Sequence, residues 1–145
     1  MFRTKIGQMF IALVLSQDDK WLAFSVNDLG GGTRSMQFMV MPHGGGEAKE
    51  IYQTEQNTGA SLFWGPPGKG ILFGVGLEKG KAYSSQICQI WKFPTPDSTR
   101  PEKMDLEAYG LLNLAVSPDG RNVAYTANEP VVSKKWAMEN YVPKK

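Results

Sequence analysis

The chain predicts an all-β protein made of three repeated units, and three observations carry that expectation. A tight-turn tetrapeptide, Ser117-Pro118-Asp119-Gly120, separates two apolar-rich segments in the manner of a β-hairpin. The frame around that turn recurs twice upstream, at spacings of about 50 residues, the range of repeats built from a few strands each. Apolar residues alternate with period two after every copy of the turn, and no stretch sustains a helical period.

The frame starts at Leu15, Trp64 and Val116, with a leucine shortly before each start (Leu13, Leu62, Leu114) and a base after each turn (Lys20, Lys69, Arg121). The strand that follows carries Leu22, Phe24 and Val26 in the first copy, Ile71, Phe73 and Val75 in the second, and Val123, Tyr125 and Ala127 in the third. Small residues stand between the last two of each set: Ser25, Gly74 and Thr126. Such a strand packs one face and keeps the other tight, as a strand between neighbouring sheets must, so Leu22, Phe24, Ile71, Phe73, Val123 and Tyr125 are predicted to be mostly buried. A third strand is expected over 35–41, 86–93 and 135–139, and a shorter, more polar fourth over 49–52 and 103–106.

Four strands per unit, inner ones apolar and outer ones polar, is the pattern of a β-propeller blade. The expected fold is therefore a partial β-propeller, three blades of four-stranded antiparallel sheets, with repeats at about 9–53, 58–106 and 110–145 of one segment spanning 1–145. Rings of this kind have roughly 4–8 blades, so three form an open arc or half of a six-bladed ring. The missing blades would come from a parent chain or from a second copy. The polar-alternating residues 2–6 stand where the outer strand of a neighbouring or closing blade would stand.

At 145 residues the chain suffices for one core, and its net charge of +2 points to neither nucleic acid nor membrane. Arg3 and Lys5 before the apolar run 9–15 outline a leader, but the run is short, no small-residue cleavage pattern follows, and its end falls in the repeat frame. It reads as a buried strand, and no other stretch approaches the length of a membrane span. A single cysteine, Cys88, offers no internal disulfide.

Ser117-Pro118-Asp119-Gly120-Arg121 followed by Val123-Ala124-Tyr125 resembles the repeat of TolB-like, WD-repeat-like β-propellers, and 136–143 resembles the closing segment of bacterial members. The first copy departs from that repeat at Gln17 and Asp19, where it has Pro and Gly, and the second at Pro67, where it has Asp. The resemblance implies a periplasmic or extracytoplasmic home. It also implies one of several roles: a binding partner, a sensor attached to a larger protein, or the propeller of a prolyl-oligopeptidase-type enzyme.

Candidate chemistry is sparse. His43, the only histidine, lies in a Pro-His-Gly-Gly-Gly loop and would have to centre any histidine-based metal cluster or Ser-His-Asp triad. The glycines are followed by no Lys-Ser/Thr and no helix, so they form a connection and not a phosphate loop. Cys88, inside an apolar strand, reads as packing. Asp18, Asp19 and Asp119 could bind a hard cation, but each sits where a turn explains it by local hydrogen bonding. Trp64, Trp91 and Trp136 read as blade-to-blade packing and not as a stacking set, with the place of Trp21 open.

No catalytic, metal or cofactor site is therefore expected, and the first functional expectation is a non-catalytic module that binds a protein or peptide. Its contacts would come from the loops between second and third strands (27–34, 76–85, 128–133) and the blade connections (54–60, 107–110), with Arg34, Lys81, Tyr83, Tyr109 and Glu129 as the partner-binding residues. The alternative is the substrate-gating propeller of a serine peptidase whose catalytic domain lies outside these residues. A metal-dependent propeller lyase ranks third because there is one histidine.

Overall fold

The computed structural model describes residues 3–29, 35–55, 58–66, 69–78, 80–128 and 133–139. They form eleven strands and one short 3-10 turn (Tyr83–Ser85). The strands are β1 (Gln8–Leu15), β2 (Trp21–Asp28), β3 (Ser35–Pro42), β4 (Lys49–Thr54), β5 (Thr58–Trp64), β6 (Ile71–Gly76), β7 (Ile87–Phe93), β8 (Glu102–Tyr109), β9 (Leu114–Val116), β10 (Asn122–Asn128) and β11 (Ser133–Glu139). They pair only with sequence neighbours, as the antiparallel sheets β1-β2-β3-β4, β5-β6-β7-β8 and β9-β10-β11. These meanders stack side by side as the blades of a β-propeller arc. Two of the blades have the expected four strands, and among the described residues the third has β9, β10 and β11.

The first and third turns share one hydrogen-bond pattern. Ser16 N–H donates to the Trp21 carbonyl (2.8 Å) and Asp19 N–H to Ser16 (3.0 Å), while Ser117 N–H donates to Asn122 (2.9 Å) and Gly120 N–H to Ser117 (2.8 Å). The residue closing each turn is left-handed: Gly120 has φ 70° and Asp19 φ 56°. Asp is among the few side chains that tolerate this region, which explains how the first copy keeps the turn without glycine.

Two hydrophobic clusters lie between the sheets. Phe38 of blade 1 meets Phe73 of blade 2 with ring centres 4.6 Å apart, and Phe73 stacks on Phe93 at 5.0 Å. Ala23, Val40 and Ile51 from one side and Leu62, Ile71 and Val75 from the other complete this boundary. The next boundary is aliphatic: Leu72, Cys88, Ile90 and Leu106 of blade 2 pack around Leu111, Leu114 and Val123. The central strand β6 is buried along its whole length. On the outer side of blade 1 a smaller cluster joins Phe24, Val26 and Met39, with Phe10 tilted against Phe24 at 5.5 Å.

Of the six residues expected to be mostly buried, Phe24, Ile71, Phe73 and Val123 are fully so. Leu22 and Tyr125 are half-buried: Leu22 lies on the outer side of blade 1, paired with exposed Leu15, and Tyr125 is on the rim of the second cluster. Residues 3–6 form no strand. They lead into a turn at Ile6-Gly7, with Gly7 at φ 89°, where Gln8 N–H bonds the Lys5 carbonyl (3.0 Å).

Candidate functional site

Blade geometry leaves two rims, one holding the loops between second and third strands and the other holding the hairpin turns. On the loop rim, residues 77–78 and 80–85 are held by a buried glutamine, Gln86. Gln86 Oε1 accepts from Glu78 N–H (2.5 Å) and its Nε2 donates to the Lys81 carbonyl (2.9 Å). Gly76 makes room for that amide, since a Cβ there would stand 2.6 Å from it.

Three of the five expected contact residues come together at this end of blades 2 and 3. Lys81 is exposed and pairs with Glu78 at 2.5 Å, and that hydrogen-bonded carboxylate raises the lysine pKa, with a smaller contribution from nearby Tyr109. Tyr109 is half-buried at the end of β8. Tyr83 was expected to meet a partner, but it is mostly buried, its hydroxyl lying where a Cβ on Gly74 would fall. Burial drives its pKa far up, and the Cys88 thiol adds to the shift without making a hydrogen bond of ordinary geometry to the hydroxyl. The tyrosine therefore packs the loop down and leaves Lys81 and Tyr109 as the accessible members. Arg34 and Glu129 lie outside the described residues.

The turn rim carries a cleft of about 140 Å³ at the boundary of blades 1 and 2, lined by Ser16, Asp18, Trp21, Trp64, Pro66 and Pro96 among others. Trp64 spans this boundary, its Nε1 donating to the Val14 carbonyl at 3.0 Å. Blade-to-blade packing accounts for Trp64, while Trp91 is half-buried against the aromatic cluster. The side chain of Trp136 lies outside the description, and its backbone pairs with Tyr125. Trp21 opens β2 at the cleft wall. Sequence reasoning passed over this cleft because it followed what the repeats share, whereas the cleft comes from where they differ.

The remaining candidates have structural roles. Asp18 Oδ1 accepts from the Ser16 hydroxyl (2.7 Å) and the Lys20 amide (3.3 Å), and Asp119 Oδ1 from Ser117 (2.5 Å) and Arg121 (3.0 Å). The serine hydroxyl bond is the main reason both carboxyls titrate below the ordinary aspartate range. His43 Nδ1 lies 2.9 Å from the Asp19 carbonyl, which can only accept, so this nitrogen carries the proton and the ring ties the β3–β4 loop to the first turn. The Cys88 thiol is fully buried and points at the Tyr83 carbonyl (3.3 Å), and burial raises its pKa away from nucleophilic character. Among the described residues no group of three or more His, Cys, Asp or Glu side chains is arranged to hold a metal ion.

The chain has the β-propeller fold. It is similar to the β-propeller domain of the Trilobed protease from Pyrococcus furiosus, which has an open velcro topology: TM-score 0.65, 15% identity, 92% of this chain and 39% of that one. It is also similar to prolyl oligopeptidase B from Galerina marginata, with TM-score 0.59, 14% identity, and 92% of this chain against 20% of that one. The chain thus spans well under half the length of either. No protein-family model and no curated protein sequence matches it.

Proposed function

We propose that this chain is a non-catalytic, TolB-like propeller segment of a larger bacterial protein, and that it binds a protein or peptide through its blade rims. One observation carries the reading: the repeat holds along the strands and in the turn frame, and fails at single positions beside them. The stacked sheets reuse the same apolar positions from copy to copy, while Trp21 and Tyr109 at strand ends and Lys81 in the β6–β7 loop have no repeated counterpart. A scaffold that repeats where it packs and varies where it faces solvent is suited to recognition.

The test is selection of displayed peptides on the intact chain. Enriched sequences whose binding is weakened by Lys81→Ala, Tyr109→Ala or Trp21→Ala are expected. A chain that enriches nothing above a scrambled library, or whose binding ignores all three substitutions, refutes the reading.

A second reading has its own support. Both similar structures come from proteins named as a protease or a peptidase, which favours a propeller that gates substrate for a catalytic domain elsewhere in a parent chain. A parent reading frame carrying an α/β-hydrolase with a Gly-x-Ser-x-Gly elbow would decide for it. In either case the outer face of blade 1 would be covered by a further blade, from the parent or from a second copy, and sedimentation of the isolated chain measures how strongly that face associates.

A further inference from the structure

Two tryptophans break the repeat. Directly after the base that closes each turn the three copies carry Trp21, Gly70 and Asn122, and at the frame start they carry Leu15, Trp64 and Val116. The other copies carry no indole at either place, and both line the cleft on the turn rim, Trp64 while it also donates across the blade boundary to the Val14 carbonyl. At the next boundary the corresponding turns close on each other, with the Pro66 ring so near Gly120 that a Cβ there would lie 3.1 Å from its Cγ.

The walls of the cleft are two indoles and the rings of Pro66 and Pro96, and its one charged lining residue is Asp18. The turn uses Asp18 Oδ1, while Oδ2 faces the Lys20 ammonium at 3.5 Å, on a side chain that is 74% exposed. An exposed pair of this kind contributes little and can be exchanged for another cation. The charges around it balance, Asp18 and Asp19 beside Lys20, Asp97 paired with Lys49 at 4.0 Å and Lys69 reaching toward Gly120 of blade 3, so the carboxylate that the cleft itself presents is Asp18. The volume suits one side chain, since an apolar cavity of about 150 Å³ holds a benzene-sized guest. A group that is flat, apolar on its faces and positive at its edge meets all three conditions, and guanidinium both stacks on indoles and pairs with carboxylates.

We propose that this cleft is a subsite for one arginine side chain of a peptide partner, stacked against the Trp21 and Trp64 walls with Asp18 Oδ2 as its acceptor. The inference rests on the peptide-binding reading and gives it a residue-level specificity. A proline ring would also suit aromatic walls, but it would make no use of the carboxylate.

Tryptophan fluorescence of the chain, titrated with N-acetyl-arginine-N-methylamide in the millimolar range, tests it. A saturable change is expected. Asp18→Asn keeps an Oδ1 acceptor for the turn and should weaken binding about fivefold, in line with loss of a charge partner at a half-open site. Asp119→Asn makes the same change in the third turn, where the carboxylate does not line the cleft, and should leave binding unaltered, and Trp21→Ala should abolish it. The proposal is overturned by a response that does not saturate, by an equal response to N-acetyl-proline-N-methylamide, or by an Asp18→Asn chain that binds as tightly as the parent. If displayed peptides bind but ignore Asp18→Asn, the cleft assignment falls and the peptide-binding reading stands. If the arginine amide binds and no peptide does, the reverse holds.

Discussion

Leu13 and Leu62 occupy the same place in two copies of one repeat, yet Leu13 is 61% exposed and Leu62 4%. The sheets around them have the same strand order, and the cross-strand partners are Phe24 and Phe73. The difference is the neighbour: blade 2 has blade 1 against this face, while the face of blade 1 that carries Leu13, Leu15 and Phe10 meets no described blade. Periodicity in a sequence specifies which face of a strand is apolar. Burial of that face depends on what is stacked against it.

Four tests, made with six substitutions, would break or sharpen this comparison. The largest effect is expected for Phe73→Ala, which removes the ring shared by Phe38 and Phe93 and should cost about 3–5 kcal/mol in urea unfolding. A loss below about 1 kcal/mol would mean that the boundary is not the core. The direct contrast is Leu62→Ala, expected to cost about 2–5 kcal/mol, against Leu13→Ala, expected to stay within about 0.5 kcal/mol. Equal costs for the two leucines would show that the outer face of blade 1 is covered in solution.

Gly120→Val comes third, at about 1–2 kcal/mol, because a branched side chain must adopt positive φ there and also meets the Pro66 ring. Gly120→Asp should cost clearly less, since Asp19 already holds that conformation in the first turn. Tyr83→Phe is the smallest. It removes a buried hydroxyl without an ordinary partner, so stability near neutral pH should be unchanged or slightly higher. The fold raises the Tyr83 pKa, so its contribution is intact below the unfolded value of about 10 and is lost as pH climbs toward the folded one. An alkaline melting series should therefore fall less steeply for Tyr83→Phe than for the parent.

Much of the fold was legible because strands and turns are local. Ser117-Pro118-Asp119-Gly120 carries its own hydrogen bonds, and the alternation Ile71-Phe73-Val75 identifies a buried face without knowledge of its neighbour. Asp19 was harder to read: its sequence departs from the Pro-Asp-Gly pattern, and only backbone geometry reveals it doing the work of a glycine. The rims were legible least. Tyr83 looks like a surface tyrosine in a polar loop, and its burial depends on Gly74 one strand away and on Gln86 holding the loop. The cleft requires Trp21, Pro66 and Pro96, far apart in the chain, to meet at one boundary, and no periodicity announces such a meeting.

Cys88 is the only thiol in the chain and is fully buried where blade 2 meets blade 3. It is therefore a built-in clock for the separation of that joint. A thiol reagent can modify it in molecules where its cover, blade 3 and the Tyr83 loop, has come away, so the labelling rate in mild denaturant counts those openings. Indole emission from Trp64 and Trp91 follows the aromatic joint on the other side of the same sheet. One unlabelled chain can thus reveal whether its two joints open together, as a single cooperative body, or one after the other, like links in a row.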